Sequence, residues 1–177
     1  MFRRTFVVCL ALVASLSGLC TVAAADTTTQ FGGLSIEQVS AGPFVIRSLF
    51  GGQDQCLDAD ANNGLNGTKV QVWTCTGSDQ QRWNWNGDGQ VVNVRFPRMC
   101  LDASGGRNGS VVHLWKCDSG LQQQKWFTQP GDLAIYNRRY FNNGNTVLDR
   151  DASFAGDGAQ VRMWAKNFQS QQWWRPE

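Results

Sequence analysis

The sequence predicts an all-β chain that writes one structural unit three times, and three observations carry that reading. "CLDA" stands at Cys56 to Ala59 and again at Cys100 to Ala103, with a weaker echo, "VLDRDA", from Val147 to Ala152. Each copy is followed by a strand-like segment ending in tryptophan, at Trp73, Trp115 and Trp164. Each unit then closes on Gln-x-Trp, read as Gln81-Arg82-Trp83, Gln124-Lys125-Trp126 and Gln171-Gln172-Trp173. Self-similarity of this length marks a repeat architecture.

The chain opens with a segment to be set apart from the fold. Arg3 and Arg4 precede an almost wholly apolar or small run, Phe6 to Leu19, which ends in Ala23-Ala24-Ala25. That is the pattern of a cleaved secretory signal, too short and wrongly flanked for a spanning helix. Cys20 raises a lipoprotein reading, but bulky Leu19 stands where that chemistry wants a small residue. Residues 1–25 are thus read as signal and 26–43 as a polar leader. The chain is expected to be secreted, with no transmembrane segment. Without Arg3 and Arg4, the 16 basic side chains fall to 14 against 14 acidic ones. No polybasic stripe remains to release counterions from phosphates, so nucleic acid is not an expected partner. Cys9 and Cys20 leave with the signal, and Cys56, Cys75, Cys100 and Cys117 meet an oxidising compartment.

Within each unit the residues read as short strands between turns. "VQVW" and "VVHLW" are rich in β-branched and aromatic residues. "ANNGLNG", "SGGRNG" and "SFAGDG" are clusters that accept positive φ. A further strand is expected ahead of each Leu-Asp pair, at Phe44 to Leu49, Gln90 to Arg95 and Leu133 to Asn137. That gives about four strands per repeat, with repeats near 44–89, 90–131 and 132–177. No apolar i, i+3, i+4 pattern is sustained long enough for a helix. Three propeller blades would fall below the usual number, whereas three units closing on one another remove exposed strand edges.

These motifs, recurring in register from about Phe44 to Arg175, resemble the ricin-B-type lectin module, a β-trefoil with three Gln-x-Trp repeats. The repeat then implies the disulfides Cys56–Cys75 and Cys100–Cys117, with Val147 and Lys166 at the two equivalent places of the third unit. The resemblance also implies a sugar site in each repeat. The Leu-Asp carboxylate accepts ring hydroxyls, the strand aromatic stacks beneath the sugar, and a polar residue two before it assists. An Asn-Gln pair precedes the closing tryptophan. Carried over, the first set is Asp58, Gln71, Trp73, Gln80 and Gln81. The second is Asp102, His113, Trp115, Gln123 and Gln124. The third is Asp149, Arg162, Trp164, Ser170 and Gln171. The family's asparagine is absent throughout, replaced by Gln80, Gln123 and Ser170.

Competing structural roles stand beside these. Trp83, Trp126 and Trp173 are read as core, and Trp73, Trp115 and Trp164 could join them. The aspartates could cap turns, and the trailing glutamines could pin one. Asn66-Gly67-Thr68 and Asn108-Gly109-Ser110 match a glycosylation pattern, but their equivalent placement favours a turn. Asp58/Asp60 and Asp149/Asp151 are the only carboxylate pairs worth weighing for hydrolysis. The second unit carries Ser104 instead, and no nucleophile–histidine–acid set or phosphate loop is present. A single histidine excludes a His-rich metal site. The expected function is a non-enzymatic lectin without cofactors, binding galactose-like or plant-polysaccharide sugars. The first site should be strongest and the third weakest unless its ligand is acidic. The alternatives are the targeting subunit of a catalytic toxin partner and a secreted hydrolase inhibitor.

Overall fold

The structure is a computed structural model that describes residues 42–60, 62–142 and 145–177. The signal and all but the last two residues of the leader lie outside the described residues. Twelve strands follow, four to each sequence repeat. The first repeat holds β1 (Phe44–Ser48), β2 (Gln55–Ala59), β3 (Thr68–Thr74) and β4 (Arg82–Trp85). The second holds β5 (Val91–Asn93), β6 (Met99–Ala103), β7 (Ser110–Lys116) and β8 (Trp126–Phe127). The third holds β9 (Tyr136–Asn137), β10 (Thr146–Arg150), β11 (Ala159–Ala165) and β12 (Trp174–Pro176). The strand expected from Leu133 shrinks to β9, because Asp132 accepts the Ala134 N–H in a turn. Among the described residues no helix is long and apolar enough to cross a membrane.

The repeated phrases form three equivalent antiparallel hairpins, β2–β3, β6–β7 and β10–β11. In each, five residues face five. Asp58 sits opposite Gln71, Asp102 opposite His113, and Asp149 opposite Arg162. Directly opposed residues on one face have Cβ atoms about 4.5–5.5 Å apart, so these side chains must meet. The second strands of the hairpins pair with one another: β3 with β7, β7 with β11, and β11 with β3. This ring leaves none of the three with a free inner edge. Elsewhere β1 joins β12 and β4, β4 joins β5, and β8 joins β9.

An Asx-Gly pair clasps each repeat to the next. Asn66 Oδ1 accepts the Lys116 N–H, Asn108 Oδ1 the Ala165 N–H, and Asp157 Oδ1 the Thr74 N–H, each at 2.7 Å. The following glycine donates its own N–H to the same neighbouring repeat, at Leu114, Met163 and Val72. Gly67, Gly109 and Gly158 reach this contact with φ of 86°, 84° and 91°, which disfavours any side chain there. Turn formation, expected at Asn66 and Asn108, is what the structure shows.

The core is built from the same positions in each unit. Leu57, Leu101 and Leu148 are buried, as are Val72, Leu114 and Met163 opposite them. The closing tryptophan of each repeat donates its indole N–H to the Leu-Asp leucine carbonyl. Trp83 reaches Leu57 at 3.1 Å, Trp126 reaches Leu101 at 2.9 Å, and Trp174 reaches Leu148 at 3.0 Å. This corrects the third motif, which is Gln172-Trp173-Trp174. Trp173, expected in the core, is 40% exposed because the preceding turn Ser170–Gln172 starts β12 one residue later.

Both expected disulfides form, Cys56–Cys75 and Cys100–Cys117. In the third repeat Val147 is buried, and Lys166 Nζ engages Asp132 and the Tyr136 hydroxyl. Burial opposes ionisation of Asp132. The hydrogen bonds from Lys166, Tyr136 and the Ala134 N–H outweigh it and hold the carboxyl below its ordinary value. An ion-pair cluster thus stands where two repeats carry a covalent bridge.

Candidate functional site

In the first repeat, β2 delivers Asp58 and β3 delivers Gln71 and Trp73 to one face of the hairpin, since residues two apart on a strand point the same way. Asp58 is 2% exposed, and its Oδ1 accepts the Gln71 amide at 3.3 Å. Its Oδ2 is buried and accepts no full hydrogen bond, with the Gln81 amide standing nearby. Burial pushes the Asp58 carboxyl above its ordinary value, against the amides of Gln71 and Gln81. Trp73 is 43% exposed, so its ring is available rather than core. The third repeat closes one side of this site, because a Cβ on Gly158 would lie 3.8 Å from both the Trp73 ring and Gln71 Oε1. Asp157 also holds Thr74, immediately after the ring, through its backbone and hydroxyl.

The second repeat repeats the plan with one change. Asp102 is buried, and His113 Nε2 lies 3.4 Å from its Oδ1. The imidazole stacks on Trp115, with ring centroids 5.3 Å apart. Trp115 is 39% exposed. Gln123 Oε1 is buried without a partner, while the backbone carbonyls of Gln80 and Gln123 accept the amides of Asn93 and Asn137.

The third repeat is occupied from within. Asp149 is 1% exposed, and both its oxygens are taken: Oδ1 by Arg162 Nε and Oδ2 by Gln172 Nε2, each at 3.0 Å. Burial still pushes this carboxyl above its ordinary value. Arg162 also lies 3.4 Å from Asp151 and places its Cζ 4.4 Å above the Trp164 ring. Trp164 is half-buried.

The trailing glutamines belong to the scaffold. Gln81 accepts the Thr76 N–H and donates to the Thr74 carbonyl, and Gln124 does the same with Asp118 and Lys116. In the third repeat Gln172, not Gln171, makes these bonds, to Asn167 and Ala165. Gln171 therefore takes the position of Gln80 and Gln123, and Ser170 stands one residue earlier. Asp60 and Asp151 accept from the amides of Asn62 and Ser153 in local turns. Sequence reasoning missed Gln172 and Trp174, although Gln172 follows Asp149 by the same interval that separates Gln81 from Asp58. It also missed Asp157 and Gly158, which reach the first site from another repeat.

The ricin-type beta-trefoil lectin domain profile matches residues 43–174, and the chain belongs to that family. An uncharacterized protein of Mycobacterium tuberculosis is 38% identical over 60 residues, which are 34% of this chain and 36% of that protein. The chain thus spans about a third of the length of the curated relatives it matches. A designed threefold-symmetric protein, ThreeFoil, superposes with a TM-score of 0.66 at 22% identity, over 76% of this chain and 96% of that one. The β-trefoil lectin of Vibrio vulnificus hemolysin/cytolysin, solved with N-acetyl-D-lactosamine bound, gives 0.61 at 24% identity, over 77% and 94%. At these identities the likeness speaks for the fold.

Proposed function

We propose that the protein is a secreted, non-enzymatic lectin of three trefoil repeats, binding galactose-like or plant-polysaccharide sugars chiefly at Asp58 and Trp73. The observation that carries this is the buried, unpartnered Asp58 Oδ2 beside a ring left exposed. A charged acceptor without a donor is costly to bury, and a sugar hydroxyl can donate to this carboxylate where the long Gln71 contact gives way to it. Trp73 offers the flat apolar face that covers the C–H side of a pyranose. Asp102 with Trp115 forms the second site, where His113 shares the carboxylate and shields part of the ring. Such shallow sites are individually weak, and presenting more than one of them raises avidity. A glycan array probed with wild type and Asp58→Ala tests the reading. Loss of the strongest signals in the variant supports it, and a silent but folded wild type would sink it.

A second reading makes the chain the cell-binding part of a multi-component toxin. It draws on the Vibrio vulnificus lectin, which belongs to a hemolysin/cytolysin. Co-purification of a catalytic chain from the source cells would favour it. Recovery of the lectin alone would favour the first reading.

A further inference from the structure

We propose that Arg162 occupies the third repeat's sugar site as an intramolecular ligand, so that the residue two before the stacking ring sets whether each repeat is open. The inference rests on the lectin reading. A sugar held by this constellation must lie between the carboxylate and the ring. Arg162 fills that space: one guanidinium donates to Asp149 Oδ1 at 3.0 Å while its Cζ lies 4.4 Å above the Trp164 ring. It reproduces both halves of sugar recognition, a donor on the carboxylate and a planar group on the indole.

The three repeats form a graded series at this one cross-strand position. Gln71 is neutral, reaches Asp58 at a long 3.3 Å and leaves Oδ2 without a partner. His113 lies near Asp102 and stacks on Trp115. Arg162 pairs with the carboxylate and covers the ring, and Gln172 removes the second oxygen. An acidic sugar gains no advantage in the third repeat. Arg162 already pairs with two carboxylates, Asp149 and Asp151, so an incoming anion would have to displace partners the chain itself supplies.

The test is nitrogen-15 NMR of the folded protein, following the tryptophan indole and arginine Nε–H signals during titration with lactose and with xylotetraose. Wild type is expected to show Trp73 shifting, Trp164 still, and the Arg162 Nε–H slow to exchange. In Arg162→Gln the Trp164 signal should titrate with an apparent Kd within about tenfold of that for Trp73. Arg162→Met, which also vacates the guanidinium, should open Trp164 as well and guards against a folding artefact of the glutamine. The proposal is overturned if Trp164 shifts in wild type as readily as Trp73, or if neither variant lets it shift while Trp73 responds. If no indole in any variant responds to either sugar, the lectin reading fails for these ligands. The exchange rate then decides the plug alone, and a fast-exchanging Arg162 Nε–H overturns it.

Discussion

In the first repeat a disulfide ties the hairpin to the loop behind it, and one buried oxygen of Asp58 lacks a hydrogen-bond partner beside an exposed tryptophan. In the third repeat Lys166, Asp132 and Tyr136 replace the bridge, and Arg162 and Gln172 consume both oxygens of Asp149. The backbone pairing, the indole-to-leucine bond and the glutamine pin are the same in both. The difference teaches that scaffold and site are separable. The leucine, tryptophan and trailing glutamine specify the fold, and the side chains opposite and around the aspartate specify whether it can bind.

The largest test of that separation lies in the core. Trp174→Ala should cost about 3–5 kcal/mol of stability, as should Trp83→Ala, because each removes a buried indole and its hydrogen bond. Trp173→Ala should cost no more than about 0.5–1 kcal/mol, as expected for an exposed side chain. Denaturant melts decide the register, and a larger loss for Trp173 would restore the sequence-based one.

Next in size is reduction. Each disulfide closes a loop of 19 or 17 residues, worth roughly 3 kcal/mol on the chain-entropy estimate. Reduction should lower Tm and speed amide exchange in the first two hairpins, with β10–β11 least affected. Equal loss of protection in all three would break the comparison.

At the first site Asp58→Ala should weaken sugar binding by roughly 1.5–3 kcal/mol, tenfold or more. Asp58→Asn sharpens the point. The folded pKa of Asp58 is raised, so its charge opposes folding above the unfolded value, and that penalty fades as pH falls. The asparagine variant should therefore be at least as stable as wild type at neutral pH, while binding sugar more weakly. A purely structural aspartate would show stability loss instead. Sugar binding by wild type should also fall in acid, as Asp58 protonates at a higher pH than an ordinary aspartate.

The smallest effect belongs to the ion-pair cluster. Asp132 has a lowered folded pKa, so its contribution is present above the unfolded value and is lost as pH falls through the folded one. Lys166 has a raised folded pKa, against the opposing effect of burial, so its contribution is lost as alkali passes that value. Lys166→Met should cost about 0.5–1 kcal/mol at neutral pH, less in strong acid. A pH series of melts for variant and wild type checks it, and a constant difference at every pH would deny the ion pair a role.

Much of this was legible in the sequence. The hairpins, both disulfides and the burial of Trp83 and Trp126 follow from residues that recur at fixed intervals. The third motif was misread because "QSQQWW" offers two glutamines and two tryptophans. Only strand alternation in β12 shows which indole turns inward. The role of Arg162 was not legible either, because it depends on the β10–β11 register and on where a long side chain lies over a ring. The contribution of Asp157 and Gly158 to the first site depends on closure between repeats, which no local pattern encodes.

The most direct test of the account compares Asp58→Ala and Asp149→Ala on one glycan array, with circular dichroism confirming that both are folded. The account predicts that Asp58→Ala loses the strongest signals and Asp149→Ala keeps them. Binding that survives in Asp58→Ala and vanishes in Asp149→Ala would contradict it, and would make the third repeat the working site.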